Sequence, residues 1–168
     1  MDDFGEMVSV SYGKGFEARG NQIVIDEEKM DQLLKETVHS SERESIARFI
    51  IAHEFFHIAL KHTKTSHRVR GFEDLTIVGT FSEARKQMEQ QVDHLAAKYL
   101  HKLGLSTAPI QRLFRSHPEM HGGEFYPTAE ERVEAVLKAQ ANGIEPTYFD
   151  NPAIKCTQVL GKLAPKLH

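Results

Sequence analysis

The 168-residue sequence predicts an α+β fold, mostly helical, with a small N-terminal sheet packed on two central helices. Three observations carry that expectation. Two short strand-like runs bounded by glycines stand near the start of the chain. Two long segments further on repeat apolar residues at helical spacing. The length suits one compact domain large enough to bury a site between helices.

Glu6 to Tyr12 alternates Met7, Val8, Val10 and Tyr12, which reads as a strand. Gly13, Gly15 and Gly20 with Asn21 mark turns, and Gln22 to Ile25 reads as a second strand. Asp26 then caps a helix running through Val38. Ser41 followed by Glu44 has the form of a capping box opening the first central helix. Ile46, Phe49, Ile50, Ile51, Ala52, Phe55, Phe56, Ile58, Ala59 and Leu60 make the middle of that helix apolar nearly all round, so it must be buried.

Thr63 to Thr80 joins the two central helices. It carries a basic patch, Lys64, His67, Arg68 and Arg70, and then the apolar run Leu75, Ile77 and Val78. The patch reads as a solvated loop, although its position also suits a lid that touches substrate. Ser82 to Leu103 is the second central helix, with Met88, Val92, Leu95, Ala96, Tyr99, Leu100 and Leu103 at helical spacing and Gly104 as its stop. Ser106 to Ser116 is a short helix with Pro109 in its first turn. Thr128 and Glu131 form another capping box, opening a helix to about Ala141 before Gly143. After Pro146 the pattern weakens. Asn151-Pro152 and Pro165 indicate an irregular tail with one short helix around Ile154 to Leu163. Residues 1–145 are thus expected to form the domain, and 146–168 a C-terminal tail packed on it.

A net charge of −3 gives no electrostatic case for nucleic-acid binding. The longest apolar stretch falls short of a membrane span, so no membrane association is expected. Met1-Asp2-Asp3 is acidic where a targeting segment would be basic. Cys156 is the only cysteine and forms no internal disulfide, and a cytoplasmic location is the simplest inference. Cys156 has two readings: a packed or exposed thiol, or a thiolate laid across the cleft by the tail.

The decisive motif is His53-Glu54-Phe55-Phe56-His57. On a helix of roughly 3.6 residues per turn, positions i and i+4 share a face, so both imidazoles can reach one ion. Glu54 projects beside that ion as a base for a water molecule. Ten histidines make accidental spacing a real alternative, but the flanks argue against it. Two histidines and a glutamate inside a buried helix leave polar groups away from water, a cost that a metal and its outer partners relieve.

Catalytic zinc usually takes three protein ligands. A third histidine just downstream would complete the metzincin pattern, but Leu60 stands where its glycine should be and Thr63 where its histidine should be. His62 is out of register and reads as a solvated histidine on a continuing helix. The other route is a glutamate from the second central helix. Glu89 and Asp93 lie four residues apart beside its apolar stripe, Glu89 as the anionic ligand and Asp93 as acceptor of a ring N–H from a ligand histidine.

His53 to His57 followed by Glu89-Gln90-Gln91-Val92-Asp93-His94-Leu95-Ala96-Ala97 resembles the gluzincin pattern of the M48 peptidase family, the Ste24 and HtpX type. It is also similar to the ImmA/IrrE-type metallopeptidases. The resemblance implies a zincin-like fold, His53, His57 and Glu89 as Zn2+ ligands, Glu54 as general base and Asp93 behind a ligand. Val92 departs from the family's alanine. Tyr126-Pro127-Thr128-Ala129-Glu130-Glu131-Arg132 keeps the spacing of a third family block, with tyrosine at the position of a histidine. That block implies Tyr126 as a hydrogen-bond donor to the oxyanion and Arg132 as a residue that holds the site together. His117-Pro118 is the alternative counterpart, displaced by an inserted loop.

The function expected is that of a small zinc-dependent endopeptidase acting on a protein or peptide. The alternatives are a narrow-specificity intracellular peptidase acting on one host or phage protein, of the ImmA-like or phage-exclusion type, and a non-catalytic regulatory module with zinc.

Overall fold

The computed structural model describes residues 8–37, 39–62, 75–118 and 121–141, with backbone alone at 75–81 and 140–141. These residues form three strands and five helices. The strands are β1 (Ser9–Tyr12), β2 (Glu17–Arg19) and β3 (Gln22–Ile25). The helices are α1 (Glu27–Lys35), α2 (Ser40–Ala59), α3 (Leu75–Lys102), α4 (Ala108–Ser116) and α5 (Ala129–Ala141).

The sheet order is β1-β3-β2. β1 runs parallel to β3 with Ser9 opposite Gln22, and β2 runs antiparallel to β3 with Arg19 opposite Gln22. The second pairing closes a two-residue hairpin, Gly20-Asn21, in which Gly20 has φ of 55°. At Gly13 a Cβ would lie 2.7 Å from Val24 Cγ1, so the chain leaving β1 passes closer to β3 than any side chain would permit. The sequence predicts β1 and β3, and the structure adds β2. Three residues reading Glu-Ala-Arg are too short and too polar at an edge for alternation to register.

Asp26 joins sheet to helix. Its carboxylate accepts from Lys29 N at 3.0 Å as the cap of α1, and from Gly15 N at 2.9 Å across the β1–β2 turn. Those two backbone N–H groups hold its carboxyl below the ordinary aspartate range. α1 stops at Lys35, before the expected Val38, with Thr37 N returning to Leu34 O.

α2 is the axis of the core. Ile46, Ala47, Phe49, Ile51, Ala52 and Phe56 are buried on it, against β2 and β3 on one side and α3 and α4 on others. The expected Ser41–Glu44 capping box does not form. The helix starts two residues too early for it, at Ser40, with His39 as cap, and the Glu44 carboxylate instead accepts from Arg48 Nε at 2.8 Å.

α3 begins at Leu75, earlier than the expected Ser82, so Leu75, Ile77 and Val78 are helical rather than part of a connecting loop. Val92, Ala96, Ala97 and Leu100 form its fully buried stripe, packed between α2 and α5. The two alanines let the axes approach closely. At α5 the capping box is real: Glu131 N donates to Thr128 Oγ1 at 3.2 Å, and Thr128 N donates to Glu131 Oε2 at 2.7 Å. α4 has Pro109 in its first turn, as expected. Among the described residues no helix is long and apolar enough to cross a membrane. The basic patch at 64–70, Cys156 and the tail 146–168 lie outside the described residues.

Candidate metal centre

The apolar girdle of α2 fixes which way the motif faces. With Phe49, Ala52 and Phe56 committed to the core, His53, Glu54 and His57 turn toward α3 and a cavity of about 890 Å³. The packing of α3 on α2 brings Glu89, one turn before Asp93, level with the two imidazoles.

His53, His57 and Glu89 thus form a group that could hold a metal ion. His53 Nε2 lies 3.2 Å from His57 Nε2 and 3.2 Å from Glu89 Oε2, and His57 Nε2 lies 3.5 Å from Glu89 Oε2. A tetrahedral ion with bonds of about 2.0–2.1 Å separates its ligand atoms by about 3.3–3.4 Å. The triangle has that size. Its chemistry fits as well: an ionised Asp93 only accepts, so His53 Nδ1 carries a proton and donates to Asp93 Oδ1 at 2.9 Å. In a neutral His53, Nε2 is then a lone pair facing a carboxylate oxygen, and a proton or a cation must lie between them.

Asp93 is fully buried and gripped from behind by Arg132, whose Nε donates to Oδ2 at 2.7 Å and whose second nitrogen donates to Oδ1 at 2.8 Å. Burial pushes the Asp93 carboxyl up, but the guanidinium and His53 outweigh it and hold the group below the usual range. Arg132 in turn stacks on Phe114 at 4.1 Å and lies 3.2 Å from His121 Nδ1.

Burial alone would lower the pKa of His53, yet its bonds to Asp93 and Glu89 raise it to about 10. Burial also works on Glu89, upward, and is overcome by hydrogen bonds from the two histidines, which hold that carboxyl well below the usual range. For Glu54 burial wins and raises the pKa against the pull of His53 and His57. Glu54 lines the cavity without belonging to the ligand triangle.

Tyr126 and His117 both line the same cavity. Tyr126 is half-exposed, and its hydroxyl accepts from Arg85 at 3.1 Å, which leaves its own proton to donate. His117 Nε2 is engaged with Glu36 Oε2 at 2.8 Å.

His62 departs from expectation. α2 does not continue through it; His62 folds back so that its Nδ1 lies 3.1 Å from His57 Nδ1. Burial, reinforced by His57, lowers its pKa to about 4, so it is neutral near pH 7. Nothing in the local sequence, Leu60-Lys61-His62, signals that turn. Sequence reasoning also missed Arg85, Phe114 and His121, whose roles depend on packing between distant segments. Compared with protein-family models, curated proteins and solved structures, the chain finds no match.

Proposed function

We propose that the protein is a zinc-dependent endopeptidase with a zincin-like arrangement, a small sheet lying over the helix pair that holds the metal. The observation that carries this is the triangle of two imidazole nitrogens and one carboxylate oxygen at 3.2–3.5 Å, opening on a cavity beside an uncommitted Glu54. Two histidines and one carboxylate are a donor set that suits zinc and leaves a fourth position for water. Zinc bound there supplies a Lewis acid that lowers the pKa of a water to about 7 and polarises a carbonyl.

The chain's own residues then divide the work. Glu54, with its raised pKa, takes the proton of the attacking water and passes it to the leaving amine. Tyr126, with its hydroxyl already accepting from Arg85, donates to the oxyanion. β2 is an edge strand, and Phe16, Glu17 and Ala18 line the cavity, so an extended peptide can pair with that edge as it crosses the metal. A purely structural zinc site would be closed by a fourth protein ligand and would not need Glu54.

Glu54→Gln should retain zinc and lose peptide cleavage by at least about 100-fold, the usual scale of general-base catalysis. Glu89→Ala should lose the metal. A zinc-replete Glu54→Gln protein that cleaves as fast as the parent contradicts the mechanism. The inactive variant also serves as a trap whose bound partner, identified by mass spectrometry, separates general proteolysis from cleavage of one protein.

A further inference from the structure

The chain leaves α2 in an unusual way. After Leu60 caps the helix, Lys61 adopts φ of 58°, the one positive φ at a non-glycine position among the described residues. Glycine or asparagine ordinarily fills this place, because a Cβ is strained there. Lys61 N still donates to Ile58 O at 2.9 Å, so the strained turn is closed and held. Its effect is to reverse the chain and lay the next residue, His62, against His57, with ring centroids 5.2 Å apart and the two Nδ1 atoms 3.1 Å apart.

We propose that His62 is a positioning residue for the metal centre: its Nδ1 accepts the Nδ1–H of His57, which fixes the tautomer that aims the His57 Nε2 lone pair at the triangle. The two ligand histidines are therefore backed differently, His53 by the carboxylate of Asp93 and His57 by a second imidazole. A ligand imidazole normally donates its outer N–H to such a partner, and removing the partner weakens metal binding. Backbone strain collects where surrounding structure needs a side chain in one place, and Lys61 supplies that need here. The inference rests on the metal-centre reading above and is independent of peptidase activity.

The test is zinc affinity by chelator competition at fixed pH, together with thermal melting of the metal-free chains. His62→Leu should bind zinc about 10–100-fold more weakly than the parent. His62→Asn should recover most of the loss, because the asparagine oxygen stands about where Nδ1 stood and accepts the same proton. Lys61→Gly should leave affinity unchanged, since glycine adopts the same φ. A parent chain that binds no zinc overturns the metal centre itself. A parent that binds zinc, with a folded His62→Leu chain that binds it equally tightly, overturns only the role of His62. Should the leucine variant not fold, the ring-nitrogen shifts of the zinc-loaded parent decide: His62 protonated at Nε2 alone supports the proposal, and protonation at Nδ1 refutes it.

Discussion

Arg132 shows how far a candidate metal-ligand side chain depends on residues outside the ligand triangle. Its two hydrogen bonds to Asp93 neutralise a fully buried carboxylate that in turn orients His53. Arg132→Met should therefore destabilise the protein by about 3–5 kcal/mol, because it strands a buried charge. Denaturant unfolding measures this. The exposed Glu134–Lys138 pair is the control, with an expected change under about 1 kcal/mol. His53 sets the pH behaviour. In the metal-free protein it stays charged up to about 10, whereas an unfolded histidine loses its proton near about 6.5. The stability it contributes is thus full below about 6.5 and disappears as pH rises through about 10. Zinc bound through His53 would have to displace that same proton, so zinc affinity should climb about tenfold per pH unit across the window. Affinity measured between about pH 6 and 8 checks the sign. A flat profile would mean that His53 is already neutral before the metal arrives.

At the level of elements, two sequences with the same capping form behave differently. Thr128 and Glu131 exchange hydrogen bonds with each other's backbone, while Ser41 lies inside the first turn of α2 and Glu44 serves Arg48. Thr128→Ala should cost about 1 kcal/mol and Ser41→Ala close to nothing, as thermal or denaturant melting would show. The pair also marks what local sequence can carry. Periodicity and caps suffice for β3, α4 and α5, because a few neighbouring residues decide them. They fail at β2, whose three polar residues are a strand only because β3 lies beside them. The start of α3 is misread for a related reason: by spacing alone Leu75, Ile77 and Val78 suit strand, loop or buried helix equally.

Across the whole molecule, the candidate site is a product of assembly. α2 contributes His53, Glu54 and His57, α3 contributes Glu89 and Asp93, and α5 contributes Arg132, while β2, α1 and α4 wall the cavity. The HExxH motif and the Glu89–Asp93 spacing are legible in the sequence because each lies within one helix, where periodicity dictates direction. That Arg132 clasps Asp93 across 39 residues follows instead from how α5 crosses α3. His62 was illegible because a lysine in the left-handed region leaves no local signal. Two helices bring two imidazoles and one carboxylate into a group that could hold a single metal ion. Zinc-edge X-ray absorption of the purified, zinc-loaded protein tests it most directly. The expected result is one zinc per chain, with two imidazoles and carboxylate or water oxygens at about 2.0–2.2 Å, and loss of that ion in Glu89→Ala. A protein that retains no zinc, or one whose spectrum shows a sulfur shell at about 2.3 Å, would contradict the account.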